Sequence, residues 1–190
     1  MGKPAPHIDL RVVDPATGAE CSSGQSGELW VRSVQNMLGY LNDPDATRAV
    51  FPLGRDEHGG WLRTGDGGYL ENGYMYLQDR IKDMIISGGE NVYPAEVEDV
   101  LAQHPAILEA AVIGVPHRKW GETVKACLVL RQSAQATSAE IIAFTRERLA
   151  HYKCPTSVDV LTTLPRNPSG KILKRVLREQ FVSDQSRVRP

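Results

Sequence analysis

A single lysine, Lys171, ends a short loop that holds two prolines and a glycine and lies directly before a helix-like run. The loop reads Pro-Arg-Asn-Pro-Ser-Gly-Lys over residues 165–171. A lysine ammonium carries three donors on a long stem and suits contact with a phosphate or a carboxylate. Gly170 permits close backbone approach. The pair is not a Walker phosphate loop, because the required preceding glycine and the following Ser or Thr are both lacking.

Two upstream segments carry further charged side chains that could bind a polar ligand. Asp66 ends a Thr-Gly-Asp tripeptide, and Arg80 and Lys82 lie close together after it. A carboxylate offers two acceptor oxygens, which match a pair of neighbouring hydroxyl groups. Each segment also has an ordinary interpretation, since Thr-Gly-Asp can be a turn and an exposed ion pair of Arg80 would contribute little.

The composition is that of a globular protein. Of the 190 residues, 41% are hydrophobic and 24% are charged, and the formal net charge is -1. This charge gives no indication of nucleic-acid binding, the apolar runs are too short for a transmembrane span, and residues 1–20 lack the pattern of a secretory signal. Cys21, Cys127 and Cys154 are odd in number and far apart, which indicates reduced thiols in a cytoplasmic protein. We expect Cys127 to belong to the core.

The predicted elements change character along the chain. Residues 1–79 are typical of short strands and turns, with a hairpin predicted at Asn72-Gly73. After residue 84, strands and helices alternate: Pro94 is expected at the start of a helix, and Thr137 with Glu140 predicts a capping box. A last helix is expected over residues 172–181.

These patterns predict a domain boundary near residues 79–83. Residues 1–79 would form a β-rich piece, incomplete because its few short strands leave unpaired edges. Residues 84–182 would form a small α+β domain, and residues 183–190 a frayed polar tail. We therefore expect the chain to be a fragment of a larger protein.

Several segments together resemble the adenylate-forming enzymes, a superfamily of acyl-CoA synthetases, peptide-synthetase adenylation domains and luciferases. They occur in the family's order and spacing and comprise Gly27-Glu28-Leu29 and residues 37–44, 64–66, 79–80, 82–98 and 168–171. The sequence of residues 87–94, Ser-Gly-Gly-Glu-Asn-Val-Tyr-Pro, most resembles that of bacterial fatty-acyl-CoA synthetases. The resemblance implies an α+β fold, in which the β-rich end of a large N-terminal domain precedes a small C-terminal domain with a mixed sheet and packed helices.

The resemblance also implies a reaction in two half-steps. A small carboxylic acid attacks ATP to give an acyl-adenylate and pyrophosphate, and the thiol of CoA then displaces AMP. Lys171 matches the catalytic lysine that bridges carboxylate and phosphate oxygens, Asp66 the ligand of both ribose hydroxyls, and Arg80 a further nucleotide contact. Lys82 matches the hinge, residues 80–83, on which the small domain rotates between the half-reactions.

Candidate CoA contacts follow from the same resemblance. Gly88 and Gly89 match a loop that lines the pantetheine tunnel, and Trp120 matches a tryptophan near the CoA arm. Tyr152 could stack on the adenine. Flanking positions that are basic in some relatives are Cys154 and Thr156 here, which leaves Lys153 as the candidate phosphate contact.

The chain lacks other parts of the family's site. The Ser/Thr/Gly-rich phosphate loop, the segment that holds adenine and Mg²⁺, and the acyl pocket lie upstream in relatives, so we expect this chain alone to be inactive without its upstream large domain. Two alternatives stay open. The acceptor could be the phosphopantetheine of a carrier protein instead of CoA, or the chain could be a non-catalytic nucleotide- or CoA-binding module.

Overall fold

The computed structural model of the chain describes residues 1–187 and contains two compact units. The first unit is Met1–Lys82, and the second begins at Asp83. This division lies inside the segment 80–83, in which we expect a hinge. The helices are α1 Pro44–Val50, α2 Pro94–Leu101, α3 Ser138–Arg146 and α4 Lys174–Arg187. The strands are β1 Asp9–Val13, β2 Gly27–Arg32, β3 Trp61–Glu71, β4 Tyr74–Arg80, β5 Ile85–Ser87, β6 Glu90–Val92, β7 Ile107–His117, β8 Gly121–Leu130 and β9 Ser157–Val160.

The first unit is built on an antiparallel sheet in the order β1-β2-β3-β4. The predicted hairpin between β3 and β4 is confirmed, since Glu71 pairs with Tyr74 across the turn. Asn72 and Gly73 both have positive φ values, 51° and 76°. A two-residue turn with this geometry matches the twist of the strands that it joins.

Strand β3 is longer than the sequence predicts. A turn at Thr-Gly-Asp would interrupt it at residues 64–66, but β3 runs without a break from Trp61 to Glu71. Its register with β2 shifts, because Trp30 pairs with Arg63 while Glu28 pairs with Gly67. The tripeptide therefore forms a bulge inside a strand, and Asp66 remains in the sheet.

The second unit contains a five-stranded mixed sheet in the order β6-β5-β8-β7, with β9 parallel to β8 and the other pairs antiparallel. This is the mixed sheet that the resemblance implies. Alternate side chains of β7 enter two core clusters. Val112 packs with Val97 of α2 and Ile141 of α3, whereas Ile113 on the opposite face packs with Leu177 of α4. The sheet is thus covered by helices on both faces.

Local signals in this unit are confirmed where they depend on near neighbours. Pro94 opens α2, and Thr137 and Glu140 form a complete capping box at α3. The bounds of the last helix differ from the expected residues 172–181, because α4 begins at Lys174 and continues to Arg187. The helix includes most of the expected tail, whose residues 188–190 lie outside the described part. Within residues 1–187, no helix has the length and apolar character needed to cross a membrane.

Candidate functional site

Asp66 and Arg80 face each other on neighbouring strands of the first unit. They are register partners in β3 and β4, and Nε of Arg80 lies 3.1 Å from Oδ1 of Asp66. The Arg80 side chain is 49% exposed and that of Asp66 38% exposed. The pair thus presents a carboxylate and a guanidinium side by side to solvent, as binding of a polar ligand with vicinal hydroxyls would require.

The bulge that carries Asp66 is stabilised by Glu28 of β2, whose part in the site was not predicted from the sequence. Its carboxylate is buried and accepts a hydrogen bond from the Gly65 N–H at 3.2 Å and from Arg63 Nε at 2.9 Å. Thr64 Oγ1 also donates to the Leu29 carbonyl at 2.7 Å. An acidic residue inside an apolar strand is the one signal that could have marked Glu28, since a buried carboxylate needs several partners.

The expected hinge residue, Lys82, is exposed and lies in a single 3₁₀ turn, Ile81–Asp83. The residue after it is anchored within the second unit. Arg178 of α4 places Nη2 2.9 Å from Oδ1 of Asp83. The chain therefore passes from an exposed lysine to a fixed aspartate in one residue.

The loop before Lys171 is ordered by its own side chains. Oδ1 of Asn167 accepts hydrogen bonds from Ser169 Oγ and from the Lys171 N–H, both at 2.8 Å. Arg166 donates to the Gly170 carbonyl at 2.5 Å and to Glu109 of β7 at 2.6 Å. Gly170 has a φ of +83°, which favours glycine. The bond between Arg166 and Glu109 thereby fixes the loop against β7.

The Lys171 side chain itself is exposed. Among the residues that the structure describes, it has no ion-pair partner, whereas Lys174 in the next turn is bound to Glu98 at 2.8 Å. An ammonium that is exposed on an ordered loop can bind an anion without first breaking a bond inside the protein.

Gly88 and Gly89 form the turn of a hairpin between β5 and β6. Their φ values are +62° and +89°. A Cβ on Gly88 would lie 2.8 Å from Cε3 of Trp120, whereas a Cβ on Gly89 would meet nothing within 4 Å. The two glycines therefore differ: Gly88 accommodates the indole, and Gly89 borders open space. Trp120 remains 45% exposed.

Tyr152 and Lys153 lie in the 3₁₀ turn His151–Lys153, which packs beside β6. Tyr152 is 42% exposed, so its ring is available for stacking. Lys153 is engaged within the protein, because its Nζ lies 2.7 Å from both carboxylate oxygens of Glu96. A phosphate would have to compete with this carboxylate for the ammonium.

The predicted site residues thus lie in separate groups. Asp66 and Arg80 are adjacent in the first unit, and Gly88 and Trp120 are in contact in the second. Across residues 1–187, no cluster of three or more His, Cys, Asp or Glu side chains could hold a metal ion.

Two family models match the chain. One is described as AMP-binding enzyme and matches residues 1–41, and the other as AMP-binding enzyme C-terminal domain and matches residues 96–171. Together they match more than half of the chain, and the second includes the loop that ends at Lys171.

Several curated relatives are similar over nearly the whole chain. A 3-(7a-methyl-1,5-dioxo-octahydro-inden-4-yl)propanoyl:CoA ligase of Rhodococcus jostii is 48% identical over 86% of this chain and 31% of its own length. A long-chain-fatty-acid–CoA ligase of Bacillus subtilis is 46% identical over 95% of this chain and 31% of its own length. A fatty acid–acyl-carrier-protein ligase of Streptomyces coeruleorubidus is 41% identical over 98% of this chain and 35% of its own length. The chain spans about one third of the length of these relatives.

A solved structure extends the similarity to the fold. The crystal structure of ATP-bound MatB from Rhodopseudomonas palustris matches with a TM-score of 0.85 at 38% identity, over 95% of this chain and 35% of that chain.

Proposed function

The chain belongs to the family of AMP-binding, adenylate-forming enzymes, and we propose that it is the carboxy-terminal part of an ATP-dependent acid–CoA ligase. The ligase would activate a carboxylic acid as its acyl-adenylate, with release of pyrophosphate, and then transfer the acyl group to CoA with release of AMP. The names of the relatives and the similarity of nearly the whole chain to them support this proposal.

One observation supports the adenylation step above the others: Lys171 is exposed on an ordered loop and has no ion-pair partner among the described residues. We propose that its ammonium bridges the attacking carboxylate and the α-phosphate. In that position it would stabilise the negative charge that accumulates on the phosphate oxygens in the transition state.

Asp66 and Arg80 are proposed to bind the nucleotide. The Asp66 carboxylate would accept hydrogen bonds from the two ribose hydroxyls. Arg80, held 3.1 Å from it, would orient this carboxylate and contribute a further donor to the nucleotide. The Mg²⁺ that accompanies ATP would be bound by residues outside this chain.

The second half-reaction is proposed to use the turn at Gly88 and Gly89. The open space at Gly89 and the half-exposed indole of Trp120 support a path for the thin pantetheine arm beside this turn. Tyr152 would stack on the adenine of CoA. Lys153 would contribute only if a phosphate displaced Glu96 from it. Lys82 is proposed as the hinge that exchanges the Lys171 loop for this face.

We propose that the acid is a fatty acid. Two observations support this: the sequence of residues 87–94, and the similarity to the long-chain-fatty-acid–CoA ligase of Bacillus subtilis. A carrier-protein phosphopantetheine is a second candidate acceptor, because the Streptomyces relative matches 98% of this chain. A non-catalytic binding module is less well supported, since Lys171, Asp66 and Arg80 are all present.

The test is substrate profiling of the full-length protein that contains this chain. With ATP and CoA, it should release AMP in the presence of fatty acids of one range of chain lengths, and much less with aryl or dicarboxylic acids. AMP release that requires holo-carrier protein instead of CoA would support the second acceptor. No acid-dependent AMP or pyrophosphate release with any acid and either acceptor would refute the ligase proposal.

A further inference from the structure

We propose that Glu28 is a positioning residue for nucleotide binding, which holds Asp66 in place through the backbone of the bulge without touching the ligand. The inference rests on the proposed function, because it assumes that Asp66 binds the ribose hydroxyls. It adds a residue of β2 to a site formed by β3 and β4.

Glu28 is a carboxylate in the interior of the first unit. Its side chain is 4% exposed, and the charge of Arg63 compensates its own, with Nη2 and Nε each 2.9 Å from Oε2. Trp30 Nε1 donates to the same oxygen at 3.2 Å. Such a group is costly to bury unless all its hydrogen bonds are made, so a position that served packing alone would favour an apolar side chain.

The second carboxylate oxygen is directed at the bulge. Oε1 accepts the N–H of Gly65 at 3.2 Å, and Gly65 has the positive φ, +73°, that the bulge requires. Between the flanking register pairs, only Leu29 of β2 stands opposite the tripeptide 64–66 of β3. The backbone that the ladder cannot pair at this point is therefore bonded by Glu28.

This arrangement connects Glu28 to the position of Asp66. Gly65 immediately precedes Asp66, whose own N–H donates to Thr64 Oγ1 at 3.1 Å, and Asp66 pairs with Arg80 at the next register shift. If the Gly65 N–H lost its acceptor, the bulge could relax toward regular pairing with β2. Because side chains alternate along a strand, such a slip by one residue would turn Asp66 to the other face.

The test variant is Glu28→Gln in the full-length protein, because it keeps the shape but has a single acceptor oxygen, which cannot serve the Gly65 N–H on one side and Arg63 and Trp30 on the other. Binding of ATP and 2′-deoxy-ATP is measured by calorimetry, together with the thermal midpoint. The wild type should favour ATP, because 2′-deoxy-ATP lacks one of the hydroxyls that Asp66 binds. In Glu28→Gln we expect ATP to bind about tenfold more weakly, the loss of one charged hydrogen bond, and the preference for ATP to disappear.

Two further variants keep the test decisive. Glu71→Gln changes an exposed carboxylate on β3 and should leave the preference unchanged. Arg63→Lys is the milder variant if Glu28→Gln does not fold, and it should reduce the preference in part. A folded Glu28→Gln or Arg63→Lys protein with the wild-type preference would overturn the role of Glu28 and leave the ligase proposal intact. A wild-type protein that binds neither nucleotide would overturn both.

Discussion

The indole of Trp120 lies directly against Gly88, so closely that a methyl group at this glycine would stand 2.8 Å from the ring. The Gly88 N–H also donates to the Trp120 carbonyl at 2.9 Å. Because Gly88 has no side chain, the indole of Trp120 can pack directly against its backbone, whereas Gly89 faces open space.

Gly88→Ala should therefore displace Trp120 and slow the thioester-forming step more than the adenylation step. The two steps are measured separately in the full-length protein, by pyrophosphate exchange and by CoA-dependent consumption of a supplied acyl-adenylate. Gly18→Ala is the matched control, because Gly18 also has a positive φ, +74°, but no neighbour within 4 Å of its Cβ position. Equal losses in both steps would argue against a role of this turn in CoA binding.

Asp66→Asn should weaken AMP binding, because an amide replaces one carboxylate oxygen by a donor that cannot accept a ribose hydroxyl. We expect a loss of about tenfold or more, from the usual value of a hydrogen bond to a charged group. The control is Asp9→Asn, which removes the ion pair to Arg32 at 2.7 Å elsewhere in the same sheet. AMP affinity that is the same in both variants, measured by calorimetry, would rule out the ribose contact.

Short-range signals predicted the parts of the fold that short-range physics determines. The turn at Asn72-Gly73 needs two positive φ values, and the capping box of Thr137 and Glu140 joins residues three apart. The loop before Lys171 is of the same kind, since Asn167 bonds Ser169 and Lys171 directly. Such features can be predicted from a single sequence because the interacting residues lie within a few positions of each other.

Features that depend on distant partners could not be predicted in this way. The bulge at Asp66 exists because β3 pairs with β2, and Gly65 finds its acceptor 37 residues away in Glu28. Likewise, Lys153 looks like a free cation in the sequence, but its partner Glu96 is 57 residues away. The sequence therefore predicted Asp66 as a ligand but not the residue that holds it.

The ion pair of Asp83 and Arg178 should define where the hinge ends. Both side chains are more than two-thirds buried, so Arg178→Ala should destabilise the second unit by about 1–2 kcal/mol. Amide hydrogen exchange of residues 83–85 should also become faster. Arg175→Ala is the control on the same helix, because its pair with Glu179 is exposed and contributes little. Unchanged exchange in Arg178→Ala would show that this pair does not limit the hinge.

Cys127 should resist alkylation in the folded protein. Burial in the sheet raises the pKa of its thiol to about 12, so that at pH 8 only about one molecule in ten thousand carries the reactive thiolate. The pKa of Cys21 is also raised, first by burial, but its side chain is only partly buried. Mass spectrometry after iodoacetamide treatment should show Cys21 modified first and Cys127 only after unfolding. Modification of Cys127 at the rate of Cys21 would contradict its place in the core.

Lys171→Ala in the full-length protein tests the central claim, that Lys171 stabilises the transition state of the adenylation step. The two half-reactions are measured side by side, with Lys3→Ala as the control for loss of an exposed lysine. We expect acid-dependent pyrophosphate exchange to fall by about a hundredfold to a thousandfold, the usual effect of removing one group that stabilises transition-state charge. CoA-dependent consumption of a supplied acyl-adenylate should fall much less. Equal losses in the two half-reactions, or full adenylation activity without Lys171, would contradict the account.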